Sequence, residues 1–291
     1  NQRKGRAGRT RPGECYRLYS REDYKNRPLF ELEEIYRTDL SEVVLRMAEI
    51  NIKDFESFDF IASPGRQGII GAIETLKYLD ALTETRELSE TGKMMAKFPL
   101  LPRLSRMIVE AIKSYPDTVE ETLIAASFLS TKSVFLLPQG EEIAARKAHH
   151  SFSDPLGDFI SYLKLITAYQ KAGRKAKFCD RNYLDEKTMS EIVNIKEQLA
   201  EIVNEMNIPV LSGGKYDDYL CAVSRGLIQF VCRRTGRFTY GSLTANKIQI
   251  HPGSVLFRET PQFIVAGEIV KTSKMFARSV SPLKREWLYK I

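Results

Sequence analysis

The spacing of apolar residues changes once along this chain, and that change constrains the fold more than any other feature. From Asp39 to about Val231 hydrophobic side chains recur three and four positions apart; beyond Val231 they alternate with polar ones in short runs broken by Gly, Pro, Asn and Ser. The first spacing lines one face of a helix and the second lines one face of a strand. The 291 residues are therefore predicted to be mainly α with a C-terminal β-barrel, spread over two or three packed domains.

In the helical part, Leu40, Val43, Val44, Met47 and Ile50 share a face, with Asp39 and Glu42 placed to cap the first turn. A second helix opens at Ser63-Pro64 and carries Ile69, Ile70, Ile73, Leu76 and Leu79. Ala81-Leu82-Thr83 and Glu87-Leu88-Ser89 then flank a charged turn. Two helices and a small hairpin over 38–98 outline a winged helix, and describe an ordinary helical subdomain equally well. The acidic balance here argues against a recognition helix that faces phosphates.

Over 99–213 the spacing gives a helical bundle. One helix begins at Pro102 and buries Leu104, Met107, Ile108, Ala111 and Ile112; another follows Pro116-Asp117. A third runs from Asp154 to about Ala172 with Phe159, Leu163, Ile166 and Tyr169 inward, and the longest spans about Lys187 to Met206 until Pro209 ends it. Gly173-Arg174-Lys175-Ala176-Lys177 reads as a basic loop between those two, either a solvated turn or a nucleic-acid contact. Ser212-Gly213-Gly214 reads as a linker into 214–291, where a helix bearing Leu220, Val223, Leu227 and Val231 precedes four short strands: 238–240, 247–251, 255–257 and 263–265. Such strands suggest a closed OB-like barrel. With a basic surface and exposed aromatics it suits single-stranded nucleic acid; with its aromatics inside it is a structural barrel only.

Composition excludes several classes. Cys15, Cys179, Cys221 and Cys232 are far apart, and the histidines are only His149, His150 and His251, so no zinc site, other metal site or disulfide framework is expected. No apolar run approaches a membrane span and no signal-peptide pattern opens the chain, so a reduced, cytoplasmic protein without a membrane partner is expected. Basic against acidic residues number 10 to 6 in 1–37, 21 to 26 in 38–213 and 13 to 5 in 214–291. A basic last domain is a plausible footprint for a polyanion.

The first residues are the densest in chemistry. Gln2-Arg3-Lys4-Gly5-Arg6-Ala7-Gly8-Arg9 holds three arginines and a lysine, with two glycines that let backbone approach a ligand. Arginine's planar fork matches phosphate oxygens, so the stretch suits a nucleotide, although a frayed basic arm has the same composition. Pro12-Gly13 then marks a turn and Cys15-Tyr16-Arg17-Leu18-Tyr19 alternates like a short strand. A single strand lacks a sheet, so 1–37 is expected to be the end of a larger fold with its linker.

That stretch resembles motif VI of superfamily 2 helicases in its DEAH-box form, Q-R-x-G-R-A-G-R, at every fixed position. Glu34-Ile35-Tyr36-Arg37 resembles the E-I-x-R linker of the same helicases. Phe178-Cys179, Asn182-Tyr183-Leu184 and Ile195 to Leu199 are similar to the W-C-x-x-x-F-L and R-x-Q-L pattern of their ratchet region. Ile250-His251-Pro252-Gly253-Ser254 resembles I-H-P-S-S, Lys271 to Arg278 resembles T-x-K-x-x-x-R, and Glu286-Trp287-Leu288 fits the closing W-L. The resemblance is collinear over the chain: end of a second RecA-like domain, winged helix, ratchet bundle, OB fold, closest to the bacterial HrpA type. Gly253 departs from a usual serine, and Ser153 to Gly157 keeps the S-D-x-L opening only in part.

The resemblance implies an ATP-dependent RNA helicase in the full-length protein. Gln2, Gly5, Arg6 and Arg9 would contact the nucleotide, Gln2 beside the γ-phosphate or attacking water and Arg6 and Arg9 as arginine fingers. ATP or another NTP with Mg2+ would be the cofactor. The chain contains no G-x-x-x-x-G-K-[ST] loop, so alone it is expected to be inactive and to bind none. Lys274, Arg278 and His251, then Arg174, Lys175 and Lys177, are the candidate contacts to single-stranded RNA. Other implied partners are the missing RecA-like domains and an activator protein. A non-catalytic RNA-binding module and a winged-helix docking scaffold are the competing readings.

Overall fold

A computed structural model of the chain describes residues 2–8, 10–27 and 39–291. They fall into two compact units, Asn1–Thr38 with Phe60–Pro64 and Asp39–Asp59 with Gly65–Ile291. The smaller unit contains α1 (Gln2–Arg6) and α2 (Arg21–Asn26). Ser20 caps α2, its Oγ accepting from Asp23 N at 3.0 Å. Arg17 and Arg27 lie over the rings of Tyr24 and Tyr19, each 4.0 Å from the centroid. Cys15–Tyr19 forms no strand: its residues are exposed, and no described neighbour pairs with their backbone groups. The E-I-x-R stretch at 34–37 lies outside the described residues.

The larger unit opens with α3 (Leu40–Glu49), capped by Asp39, whose Oδ1 accepts from Ser41 N at 3.0 Å. Val44, Leu45, Met47 and Ala48 are buried, and Ile50 caps the C-terminus in the open. Helix α4 (Arg66–Tyr78) packs on α3 through Ile69, Ala72, Ile73 and Leu76. The hairpin after it narrows to one bridge, Leu82 with Leu88, before α5 (Glu90–Met95).

The bundle comprises α6 (Pro102–Ser114), α7 (Val119–Ser130), α8 (Glu142–His150), α9 (Asp158–Lys171), α10 (Lys175–Arg181) and α11 (Glu186–Glu205). After it α12 (Tyr216–Gly226) packs against α6, and α7 touches α6, α9, α11 and α12. Gly226 lets α12 approach that closely, because a Cβ there would stand 2.2 Å from Arg103 O. Arg106, buried on α6, joins the winged-helix part to the bundle: it donates to Leu79 O at 2.9 Å and to Glu110 Oε2 at 2.7 Å. Arg225 of α12 closes the same junction by pairing with Asp80.

Two expectations are corrected here. Residues 173–177 are not a free loop, since α10 starts at Lys175 and the Lys175 ammonium donates to Tyr169 O at 2.6 Å and Gln170 O at 2.8 Å. It closes the last turn of α9, where carbonyls lack helical partners. The linker at 212–214 is strapped down: Gly213 N donates to Glu121 Oε1 and Gly214 N to Asp117 O.

Strands β1 (Val231–Arg234), β2 (Tyr240–Gly241), β3 (Ile248–Ile250), β4 (Phe263–Lys271) and β5 (Met275–Leu283) close into a barrel in the order β1-β2-β3-β5-β4. Only the β3–β5 pairing is parallel. Cys232, Tyr240, Ile248, Ile264, Ala277 and Val280 fill it. Val255-Leu256-Phe257 is not a strand: Leu256 is buried, but Val255 N is taken by a side chain rather than by a neighbouring strand.

That side chain is Asp158, the first residue of α9 and 7% exposed. Its Oδ1 accepts from Val255 N at 2.9 Å and its Oδ2 from Val280 N at 2.6 Å. Phe159 N donates to Ser281 Oγ, and Tyr162 shares a hydrogen bond with Ser279 at 2.7 Å. Gly157, at φ 94°, is needed beside it, since a Cβ would sit 2.4 Å from Val280 O. Burial pushes the Asp158 carboxyl up from 3.8, outweighing its donors.

Asp158→Ala strands the buried Val280 N–H and the partly buried Val255 N–H and is expected to lower stability by about 2–4 kcal/mol, read from urea midpoints; a loss under about 0.5 kcal/mol would contradict this role. The pH dependence has a definite sign. A carboxyl whose folded pKa lies above its unfolded value favours the fold when protonated, so stability from Asp158 falls as pH rises from 3.8 through the raised folded value. Comparing wild type with Asp158→Asn across that window should show this slope in the wild type alone.

Candidate nucleic-acid interface

The parallel pairing of β3 with β5 sets Gln249 beside Phe276 and Ile250 beside Ala277. Alternation then sends Ile248, Ile250 and Ala277 into the barrel and leaves Gln249, Phe276 and Arg278 outside. Lys274, at the β4–β5 turn, reaches Gln249 Oε1 at 3.5 Å. Arg278 meets Glu268 on β4 at 3.3 Å, with each side chain nearly half exposed, so the pair leaves the guanidinium open to solvent.

His251 directly follows β3 and completes this face. Its backbone N donates to Ala277 O at 2.9 Å, and Gly253 N donates to its Nδ1 at 3.0 Å. The ring stands edge-on to Phe276, centroids 5.6 Å apart. The turn is pinned at its far end by Asp158 through Val255 N. Gly253 suits the site, because a Cβ there would come within 3.1 Å of His251 Nδ1. Burial pushes the imidazole below 6.5, with the charges of Arg278 and Arg146 acting in the same direction.

Lys274, Arg278 and His251 are thus brought together on one face of the barrel. Arg174, Lys175 and Lys177 are not brought to it: they belong to the start of α10, which packs on α11. Arg174 and Lys177 are exposed, while the Lys175 ammonium is occupied by the end of α9 and stands 4.9 Å from the Tyr169 centroid.

Sequence reasoning missed Phe276, which sits inside the T-x-K-x-x-x-R segment, and it missed α8, whose only buried residue is Ala145. Helix α8 leaves no apolar stripe to detect; its signal is the basic run Arg146-Lys147 ahead of His149-His150. His149 has a structural place, its Nε2 at 3.0 Å from Tyr183 O and its ring against Phe135.

In the smaller unit, α1 contains Gln2, Gly5 and Arg6. Arg6 is exposed, and apart from neighbouring backbone no described atom lies within 4 Å of where a Cβ would stand on Gly5 or Gly8. The side chain of Gln2 and the whole of Arg9 lie outside the described residues. Among the described residues no helix is long and apolar enough to cross a membrane, and no group of three or more His, Cys, Asp or Glu is placed to hold a metal ion.

Three family models match in collinear order. Residues 72–100 match the helicase-associated domain (HA2), winged-helix; residues 101–180 match the helicase-associated domain (HA2), ratchet-like; residues 221–291 match the oligonucleotide/oligosaccharide-binding (OB)-fold. The chain is 47% identical over 289 residues to the ATP-dependent RNA helicase HrpA of Borreliella burgdorferi, covering 99% of this chain and 35% of that protein. It is 33% identical over 303 aligned residues to the ATP-dependent RNA helicase HrpA homolog of Haemophilus influenzae, covering 99% of this chain and 23% of that one. It thus spans about a third or less of the curated relatives it matches. In that order the chain carries a helicase-associated winged-helix part, a helicase-associated ratchet-like bundle and an OB-fold barrel, and over nearly its whole length it is similar to a part of two ATP-dependent RNA helicases of the HrpA type.

Proposed function

We propose that this chain is the RNA-holding part of an ATP-dependent RNA helicase, with single-stranded RNA lying across the barrel face of Lys274, Arg278 and His251. The observation that carries this reading is the convergence of two cations, an imidazole and the Phe276 ring on an OB barrel that is fastened to a ratchet-like bundle. Cations placed on phosphates and a ring available for stacking give affinity with little sequence preference. Arg174 and Lys177, exposed at the start of α10 and away from that face, are further RNA contacts in this reading. The bundle and barrel hold the strand while movements of the RecA-like domains of the full-length protein advance it.

The nucleotide side of the proposal rests on the first residues. Gln2, Gly5, Arg6 and Arg9 contact the phosphates of ATP, with Arg6 and Arg9 as fingers that stabilise charge developing on the transferred phosphoryl group, an effect of about 10³–10⁵ in rate. The phosphate cradle and the Mg2+ ligands belong to motifs that this sequence does not contain. An activator protein remains a further partner in this reading.

Binding of a labelled single-stranded RNA at rising salt tests the RNA side. Each phosphate contact should contribute about −0.7 to the slope of log K against log salt, and Lys274→Ala with Arg278→Ala should remove about two such contacts. No binding at low ionic strength would sink the proposal. For the fingers, Arg6→Ala in the full-length helicase is expected to cut NTP turnover by about 10³ or more while RNA affinity holds; near-normal turnover would refute that role.

A further inference from the structure

Strands β4 and β5 depart from the alternation that a regular strand imposes. Ala277 and Val280 both fill the barrel, three positions apart, and on β4 the same holds for Ala266 and the partly buried Ile269. A regular strand would put Arg278 on the side of Val280 and Glu268 on the side of Ala266, inside the barrel. Both are instead nearly half exposed and pair with each other on the outside. The change of phase falls at Gly267 and Ser279. There the ladder lapses, between the pair Ala266 with Val280 and the pair Glu268 with Arg278.

The backbone of Ser279 makes the change. Its φ is 53°, in the left-handed region, which a residue with a Cβ enters at a cost and a β-branched one hardly at all. The bundle holds it there. Tyr162 of α9 shares a hydrogen bond with the Ser279 hydroxyl at 2.7 Å, and Phe128 of α7 stacks on the Tyr162 ring with centroids 4.4 Å apart. Across the ladder, a Cβ on Gly267 would stand 2.9 Å from Ser279 Cβ and 2.5 Å from Leu129 Cδ2 of α7. Only glycine lets the two strands and α7 meet at that point.

Resting on the RNA-binding reading above, we infer that Ser279 is a positioning residue for Arg278. Its left-handed backbone, held by Tyr162 and given room by Gly267, resets the alternation and turns the guanidinium onto the outer face. Ser279 itself is directed at the bundle and acts only through its neighbour. One serine thus lets the bundle set which way an arginine of the barrel points.

Thiol probes read the phase without RNA. They are placed in a Cys15→Ser background, because the other three cysteines are buried. Arg278→Cys should react with a maleimide at least about tenfold faster than Val280→Cys, and Glu268→Cys faster than Ala266→Cys, with melting curves to verify folding. Two residues apart on a regular strand share a face, so equal rates within both pairs overturn the reset. Urea midpoints at Ser279 give a second sign. Ser279→Gly should rank above Ser279→Ala, and Ser279→Val should rank last or fail to fold, the reverse of an ordinary strand position. The ordinary ranking overturns the proposal.

Anisotropy with a labelled oligouridylate over a salt series tests the link to Arg278. Ser279→Val, or Ser279→Ala if the valine chain does not fold, should reduce the salt slope by up to about 0.7 and weaken binding about two- to fivefold near 0.1 M salt. Ser279→Gly should lose less. In an Arg278→Gln background the same substitution should cost nothing further. A loss that persists there undiminished, or no loss in a folded Ser279→Val chain, overturns the positioning role. A wild-type chain that binds no RNA at low salt defeats the RNA-binding reading, and the role of Ser279 toward RNA falls with it; the thiol rates and the midpoint ranking still decide the reset.

Discussion

The Asp158 carboxylate is the interaction on which the larger unit's layout depends. One buried side chain at the start of α9 accepts from Val255 N in the turn after β3 and from Val280 N within β5. Strands β3 and β5 are the parallel neighbours that carry the outward residues of the proposed RNA face. The same carboxylate therefore fixes the bundle to the barrel and sets the two strands relative to α9. Its geometry explains the glycine before it, which must let Val280 O approach, and the absence of a strand at Val255–Phe257, whose first N–H is already used.

The second junction works by the same logic with opposite charge. Arg106 is buried on α6, and its fork spans Leu79 O at the end of α4 and Glu110 on its own helix, while Arg225 of α12 holds Asp80. Both junctions replace a flexible linker with buried, directional bonds between a charged side chain and backbone. Loss of one partner at such a place leaves an uncompensated polar group, which is why these contacts specify an arrangement more sharply than apolar packing does. A rigid body of bundle and barrel is what a strand gripped across both would need.

Much of this was legible in the residues. Strict 3.6 spacing at Leu104, Met107 and Ile108 and at Phe159, Leu163 and Ile166 gave the helices and their buried faces, and the alternating runs at 238–240, 247–251 and 263–265 fall on β2, β3 and β4, whereas β1, at the end of an apparent helical stripe, and β5 went unnoticed. The features that were not legible have specific causes. Helix α8 buries only Ala145, so it has no stripe and went unnoticed. Lys175 looked like loop charge because its partners, the carbonyls of Tyr169 and Gln170, exist only once α9 ends. Long-range contacts such as Asp158 to Val280, 122 residues apart, leave no local pattern. His251, Lys274 and Arg278 could be named from their segments, but their sharing of one face follows from the β3–β5 register.

The central claim is that RNA lies on that shared face. Amide chemical shifts of the labelled chain, followed while a short single-stranded RNA is added, address it most directly. The account predicts that the earliest and largest changes fall at residues 249–251 and 274–278. Changes confined to the winged-helix part, or spread over the surface without a focus at these strands, would contradict it.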